Sequence, residues 1–134
     1  MLYDRFVNFH GLNNLIWVYN TNEFKPGVDR LDEYYPGDDV VDIITTDVYT
    51  QGFDQENYNQ ITKLARDKPI ALGEVGNLPS PEILKAQPRC AWFMNWGDPR
   101  RDTAGTYTSP QVIKLKNLPW VKIKEPKMSY PIIK

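Results

Sequence analysis

A carboxylate at the end of an apolar run is the feature of this sequence best suited to chemistry. Residues 68–76, KPIALGEVG, form a short apolar run bounded by Pro69 and Gly76, which predicts a buried parallel strand. Glu74 stands near its far end, where a charge is costly unless the strand opens into a polar pocket. Such pockets form at the carboxyl ends of strands in parallel α/β folds. This run alone is equally compatible with a structural ion pair at a strand end.

The alternation of side chains along four predicted strands indicates which residues share a face with Glu74, because side chains two apart point the same way. In the Glu74 strand this alternation groups Ile70 and Leu72 with Glu74 and turns Ala71, Gly73 and Val75 towards the helices. In the other strands the polar-tipped or aromatic phase contains Leu15, Trp17 and Tyr19, then Ile43, Thr45, Asp47 and Tyr49, and then Cys90, Trp92, Met94 and Trp96. Aligning these phases predicts one mouth lined by Trp17, Tyr19, Asp47, Tyr49, Glu74 and Trp96.

This set of side chains suits the cleavage of sugars. Flat aromatic rings bury the C–H faces of pyranose rings without demanding hydrogen bonds. A central carboxylate can attack or stabilise an anomeric carbon, and a tyrosine hydroxyl on the next strand can hold that carboxylate ionised and aimed. The constellation predicts a glycosidase. The alternative is that tryptophans at strand ends simply fill the top layer of a barrel.

Strands and helices alternate along the chain, which predicts parallel βα units and an α/β fold. Four such units make half of an eight-stranded barrel. The predicted elements are an amphipathic helix over residues 2–10 ended by Gly11, strands over 15–19, 42–49, 70–75 and 89–96, a helix capped by Asp54, a short helix starting at Ser80-Pro81, and a last helix over about 109–116. A short helix or turn is predicted between Asp32 and Asp39.

Composition excludes several classes of function. The 134 residues are 41% hydrophobic, which favours a folded core, and a net charge of −1 without a long basic run gives no electrostatic case for nucleic acid. The sequence contains no apolar span long enough for a membrane and no signal peptide. Cys90 is the only cysteine, so an internal disulfide is excluded.

Five segments resemble the second half of glycoside hydrolase family 26, in the right order over about residues 1 to 100. They are residues 12–20 (LNNLIWVYN), 35–43 (YPGDDVVDI), 47–49 (DVY), 68–76 (KPIALGEVG) and 92–96 (WFMNW). The resemblance implies a (β/α)8 TIM-barrel type fold with this chain covering about strands 5 to 8, and secreted or periplasmic endo-β-1,4-mannanases that need no metal or cofactor. Some members act instead on mixed-linkage glucan or xylan.

The resemblance also implies roles for individual residues. Glu74 matches the nucleophile, Tyr49 the tyrosine that orients it, and Trp96 the tryptophan that lines the central sugar subsite. Asp47 and Trp17 also occupy motif positions. The family's acid/base is a glutamate that follows a histidine, and this sequence contains no His-Glu pair. Retaining hydrolysis needs two carboxyl groups about 5–5.5 Å apart.

No residue of this chain matches the family's acid/base position. Asp47 is expected to orient its neighbours, Asp98 to cap a turn, and His10 to pack on a helix surface, while the loop that carries Glu23 has no predicted path. Losing general acid catalysis costs about 10²–10⁴ in rate, so the isolated chain is expected to be a very weak enzyme or inactive.

Three hypotheses follow for the whole chain. Residues 1–117 are predicted to be the C-terminal half of a mannanase barrel and 118–134 a tail. The second hypothesis is a glycan-binding half barrel without turnover, whose partner is β-mannan or a related plant polysaccharide. The third is a structural fragment that pairs with a second copy, because a half barrel leaves two sheet edges open. Reducing-sugar release separates the first two, and solution mass tests the third.

Overall fold

The computed structural model describes residues 2–24, 31–49, 53–96, 117–119 and 122 of the chain. The chain divides into two compact units, Met1–Asp98 and Pro99–Lys134. In the second unit, residues 117–119 form a turn. The predicted helix over 109–116 and nearly all of the predicted tail lie outside the described residues, and the boundary between residues 117 and 118 stays a prediction.

The first unit is built on a four-stranded, entirely parallel sheet. Its strands are β1 (Val18–Asn22), β2 (Ile43–Val48), β3 (Ile70–Val75) and β4 (Cys90–Asn95). They lie side by side in sequence order, β1-β2-β3-β4, and every neighbouring pair is parallel. The α/β prediction is confirmed at this level. The predicted first strand, residues 15–19, begins three residues too early, whereas the other three strands agree to within one residue at each end.

Two α-helices connect the later strands, and both begin at the predicted caps. Helix α1 (Gln55–Ala65) starts where the Asp54 carboxylate accepts the backbone N–H groups of Glu56 and Asn57, at 2.8 and 3.0 Å. Helix α2 (Pro81–Ala86) starts with proline at its first position, and Ser80 Oγ accepts the Ile83 N–H at 3.3 Å. Short polar side chains at the two caps therefore fix the residue at which each helix begins.

The remaining helical segments are short. Asp4–Phe9 is wound as a π-helix, with the His10 N–H donating to the Arg5 carbonyl at 3.2 Å, and Gly11 follows with φ of 66°, as its predicted role as a left-handed cap requires. The predicted turn region holds two 3₁₀ turns, Leu31–Glu33 and Asp38–Val40. Among the described helices none is long and apolar enough to cross a membrane.

The core lies between α1 and one face of the sheet. Ile61 and Ala65 of α1 are buried against Ile44 of β2 and Ile70 of β3, and a second buried cluster joins Val48, Leu72 and Val75. We call this the helix face of the sheet and the opposite side the inner face. The side chains that meet α1 are mostly apolar, with Thr46 of β2 as a buried exception, and other polar groups of the sheet lie on the inner face.

Arg89 links the end of α1 to the starts of β3 and β4. Its guanidinium donates to the carbonyls of Thr62 at 3.3 Å, Lys68 at 3.0 Å and Arg66. The carbonyls lie in the last turn of α1 or just beyond it, and the Thr62 carbonyl also accepts the Arg66 N–H at 3.2 Å. Arg66 itself takes a positive φ of 53°, which a non-glycine residue rarely adopts. One side chain thus donates hydrogen bonds to three backbone carbonyls in the segment that joins α1 to β3.

We expect Arg89→Ala to lower the free energy of unfolding by about 2–3 kcal/mol, because it leaves these carbonyls without a charged donor. Arg66→Ala is the matched control in the same segment. The Arg66 side chain is 75% exposed and forms an ion pair with Asp38 at 2.7 Å, so its loss should cost less than about 1 kcal/mol. Urea unfolding measures both, and equal losses would contradict this role for Arg89.

Candidate active site

Alternation along β2 places Thr45 and Asp47 on the inner face of the sheet, as predicted. Ile44 and Val48 pack into the two core clusters on the helix face. Thr45 and Asp47 instead meet Asn20 of β1, because Thr45 Oγ1 donates to Asn20 Oδ1 at 2.5 Å and Asn20 Nδ2 donates to Asp47 Oδ2 at 2.8 Å. A polar network therefore crosses from β1 to β2 on the inner face.

A β-bulge at Gly73 brings Glu74 to the same face. The register pairs Thr46 with Leu72 and then Asp47 with Glu74, so Gly73 is skipped. A Cβ atom added to Gly73 would lie 2.8 Å from Asp47 Oδ1 and 3.1 Å from Thr45 Oγ1. Gly73 thus faces inwards, as does Glu74, and glycine is the residue that leaves room for the network.

The predicted phase of the Glu74 strand is therefore wrong for four residues. Ile70 and Leu72 lie in the clusters of the helix face, whereas Ala71, the register partner of Thr45, and Gly73 lie on the inner face. Val75 is fully buried on the helix face, as predicted. Strict alternation failed because a bulge shifts the side-chain phase by one residue. Glu74 reaches the predicted face by that shift.

Tyr49 and Glu74 form the central contact of the site. The Tyr49 hydroxyl donates to Glu74 Oε2 at 2.5 Å. This hydrogen bond is the main reason why the pKa of Tyr49 rises to about 12, with burial and the charges of Glu74 and Asp47 adding to it. The hydroxyl consequently stays protonated at neutral pH and remains a donor to the carboxylate.

Asp47 lies beside this pair and is 9% exposed. Burial raises the pKa of its carboxyl group, and the charge of Glu74 raises it further. The Asn20 amide and the Glu74 backbone N–H act in the opposite direction. Within the described residues Asp47 Oδ1 has no hydrogen-bond partner, although it is buried.

Trp96 follows the last residue of β4 at the same end of the sheet. Its backbone N–H donates to the Val75 carbonyl at 3.1 Å, one residue beyond Glu74. Trp92 and Met94 are exposed, whereas Phe93 packs into the core, so alternation puts Trp96 on the inner face. Its side chain is 67% exposed, which leaves an aromatic surface open at the end of the sheet where Glu74 lies.

Cys90 does not share that face, contrary to the prediction. It packs against both clusters of the helix face, and burial raises the pKa of its thiol to about 11. The register between β3 and β4 explains the difference. Ile70 pairs with Cys90 but Leu72 pairs with Phe93, so an irregularity shifts the phase within β4.

Trp17 and Tyr19 do not join the other four residues of the predicted mouth. The Tyr19 hydroxyl donates to the Leu31 carbonyl at 3.3 Å, and its ring lies edge-on to Tyr35 on the helix face, where burial raises its pKa. Trp17 precedes β1, and its ring lies 5.2 Å from Tyr3 and 6.0 Å from Phe6. The prediction failed for Trp17 because it lies before the strand, and for Tyr19 because the register pairs it with Ile44 of the helix face.

The other acidic and basic candidates are placed as follows. Glu23 Oε1 accepts the backbone N–H of Tyr49 at 3.0 Å. His10 is exposed and lies edge-on to Phe9 at 4.9 Å, in keeping with the predicted packing on a helix surface. Asp98 lies outside the described residues. Sequence reasoning missed two contacts, those of Asn20 with β2 and of Glu23 with the Tyr49 backbone. The available signal was that both residues follow a predicted strand.

The arrangement provides one carboxylate that is aimed, hydrogen-bonded and open to the inner face. Glu74 is held by a protonated tyrosine, a second, buried carboxyl group lies on the neighbouring strand, and an exposed indole follows β4 at the same end of the sheet. A carboxylate so placed can act as a nucleophile or stabilise a developing positive charge.

Comparison with known proteins identifies the family. The model of Glycosyl hydrolase family 26 matches residues 1–126. A mannan endo-1,4-beta-mannosidase of Thermothelomyces thermophilus is 46% identical over 118 residues, which are 85% of this chain and 23% of that protein. A mannan endo-1,4-beta-mannosidase of Bacillus subtilis strain 168 is 32% identical over 108 residues, 72% of this chain and 28% of that protein.

Solved structures agree. GH26A from a Muricauda species superposes with a TM-score of 0.75 at 46% identity, covering 88% of this chain and 39% of that one. A Podospora anserina GH26-CBM35 beta-(1,4)-mannanase superposes with a TM-score of 0.59 at 36% identity, covering 87% of this chain and 28% of that one. The chain therefore spans about a quarter of the length of the curated relatives and less than half of these structures.

Proposed function

The chain belongs to glycosyl hydrolase family 26, and from that membership we propose that it supplies the nucleophile half of a retaining, endo-acting β-mannanase. In this proposal β1 to β4 are strands 5 to 8 of a (β/α)8 barrel, and the substrate is β-1,4-mannan. We call the assembly of this chain with the preceding half the complete barrel. A mannanase of this type acts on a polymer outside the cell, so secretion is part of the proposal.

The proposed reaction has two steps. The Glu74 carboxylate attacks the anomeric carbon, the glycosidic bond breaks, and the leaving oxygen takes a proton from an acid supplied by the other half. Water then attacks the anomeric carbon of the glycosyl-enzyme and gives its proton to that same group, which restores Glu74. Tyr49 holds Glu74 in line for both steps, and Asp47 supports it from the neighbouring strand.

The observation that carries this proposal is the hydrogen bond of 2.5 Å from Tyr49 to Glu74. It joins the ends of two parallel strands on the inner face, where a barrel enzyme has its active site. It also involves the two residues that the family resemblance pairs. A structural ion pair would instead join Glu74 to a cation, whereas within the described part of the chain its carboxylate accepts from a neutral hydroxyl.

The function is tested by joining the chain to the missing half. The complete barrel should release reducing sugar from galactomannan, and this chain alone should release very little because it lacks the acid/base. The other half can be supplied by co-expressing the N-terminal half of a family 26 enzyme. A complete, folded barrel that binds mannan but never releases sugar would contradict the proposal.

Such a result would favour a second function, a glycan-binding module without turnover. The observation that supports it is the exposed indole of Trp96, because an open aromatic face can stack on a sugar ring without any catalytic group. Retained binding of manno-oligosaccharides by the 134-residue chain, measured by calorimetry, is the expected signature. Self-pairing through open sheet edges stays a prediction, and a stable monomer at micromolar concentration would count against it.

We expect Trp96→Ala to raise the KM of the complete barrel for mannan about tenfold, because the substitution removes apolar contact with a sugar ring and a loss of about 1.4 kcal/mol is tenfold. The indole is 67% exposed, so its removal should leave the core and the melting temperature unchanged. Trp96→Phe keeps an aromatic face and should stay within about threefold of the original KM. Equal effects of the two substitutions would argue against stacking.

A further inference from the structure

Tyr49 is held at its backbone by a side chain from the loop that follows β1. The Glu23 N–H donates to the Asp47 carbonyl at 2.8 Å, which continues the parallel ladder between β1 and β2. The next bond of such a ladder would run from the Tyr49 N–H to the backbone carbonyl of residue 23. Here Glu23 Oε1 takes that place, at 3.0 Å. A carboxylate side chain thus substitutes for a backbone acceptor.

The position of Glu23 is set by the fold on both sides. Its own N–H is bound to β2, and the next residue, Phe24, is 3% exposed in the core. The Phe24 N–H donates to Asn57 Oδ1 of α1 at 3.1 Å. Because Asn57 lies in the first turn of a helix capped at Asp54, the loop is tied to a rigid element. The contacts of this loop with α1 therefore hold Glu23 in place at the end of β2.

Tyr49 is also confined on the side of its ring. A Cβ atom added to Gly76 would lie 2.9 Å from Tyr49 Cδ1, so the ring lies directly against the backbone of the loop after β3. The hydroxyl then reaches Glu74 at 2.5 Å. Because the ring is packed against this backbone on one side, the hydrogen bond between the Tyr49 N–H and Glu23 helps to set the distance from the Tyr49 hydroxyl to Glu74. A small backbone displacement at Tyr49 would lengthen the contact with Glu74.

We propose that Glu23 is a positioning residue of the catalytic centre, which acts on Glu74 through the backbone of Tyr49. The proposal rests on the proposed function, since it assigns Glu23 to the same reaction. It also gives a role to a carboxylate that could otherwise be taken for the missing acid/base. A positioning role requires an acceptor oxygen at this place, whereas an acid/base role requires a group that gains and loses a proton.

Two substitutions at Glu23 separate these roles in the complete barrel. Glu23→Met keeps the length of the side chain and removes the acceptor, so kcat should fall about tenfold, because small misplacements of catalytic groups are costly. Glu23→Gln keeps an acceptor oxygen without an ionisable group and should stay within about twofold of the original kcat, with an unchanged pH profile. KM should change little in both. Loss of activity in Glu23→Gln equal to that in Glu23→Met would overturn the positioning role.

A double-mutant cycle with Tyr49→Phe tests whether Glu23 acts through Tyr49. Without the hydroxyl there is nothing to aim, so Glu23→Met should cost less than about twofold when Tyr49→Phe is already present. Independent, multiplicative losses would overturn the proposal. If Glu74→Gln leaves full activity, the proposed function fails; if Glu74 and Tyr49 matter but Glu23→Met has no effect, only this inference fails.

A measurement on the 134-residue chain itself needs no activity. In chain labelled with ¹³C at tyrosine Cζ, the Tyr49 resonance is identified by its loss in Tyr49→Phe. We expect Glu23→Met to move this resonance towards its position in Glu74→Ala, where the hydroxyl has lost its acceptor. Glu23→Gln should leave it in place. An unmoved resonance in a folded Glu23→Met chain would contradict the proposal.

Discussion

Replacing Glu74 by glutamine should reduce kcat of the complete barrel by about 10³-fold or more, because removing a nucleophile leaves only binding and positioning. Glutamine keeps the size of the side chain and can still accept the Tyr49 hydroxyl, whose bond to Glu74 is 2.5 Å long. The fold and substrate binding should therefore survive. Initial rates on galactomannan, with calorimetric binding of manno-oligosaccharides, measure the two effects separately.

Glu56→Gln is the matched control for this loss. Glu56 lies in the first turn of α1 and accepts Gln60 Nε2 at 3.1 Å, away from the inner face. It should leave kcat unchanged. Activity in Glu74→Gln within tenfold of the original would contradict the nucleophile assignment, and restoration of Glu74→Ala by added azide, an external nucleophile, would support it.

Replacing Tyr49 by phenylalanine should lower kcat about 10²-fold, the order expected when a reacting group is misplaced by about 1 Å. The ring and its contact with Gly76 remain, so the substitution removes only the donor to Glu74. Since the pKa of Tyr49 is about 12, the lost group is a protonated hydroxyl across the whole working range of pH. KM should change much less than kcat.

Tyr35→Phe provides a control with the same chemistry in another place. The Tyr35 hydroxyl donates to Asp38 Oδ1 at 2.8 Å, and burial with this bond raises the pKa of Tyr35 to about 12. Its ring lies against Tyr19 on the helix face. We expect lower stability and an unchanged kcat. An equal loss of kcat from both substitutions would show that the effect of Tyr49 is one of general stability.

The sequence predicted the elements well because their ends carry local signals. Asp54 and Ser80 are short polar caps whose preference for helix starts is independent of the rest of the fold. The β-branched run of β2 likewise gave both its boundaries and its phase. The first strand was placed three residues early because Leu15 and Ile16 continue the apolar run without marking where pairing begins.

The site was predicted in part. Asp47, Tyr49, Glu74 and Trp96 come together at one end of the sheet, although alternation alone would have put Glu74 on the face of Ile70 and Leu72. The bulge at Gly73 could not be predicted from its own strand, because it depends on how Asn20 of β1 and Asp47 of β2 meet across the sheet. The proposed positioning role of Glu23 was missed because a hydrogen bond donated by a backbone N–H to a loop carboxylate has no sequence signature.

The central claim, that the Glu74 carboxylate forms a covalent bond with the sugar, can be tested by trapping. A 2-deoxy-2-fluoro-β-mannoside with an activated leaving group needs no acid assistance and is hydrolysed slowly at the second step, so the glycosyl-enzyme accumulates. Mass spectrometry of the digested complete barrel should find one added fluoro-sugar on the peptide that contains Glu74, and none in Glu74→Gln. Label on another carboxylate, or an active enzyme that takes up no label, would contradict the account.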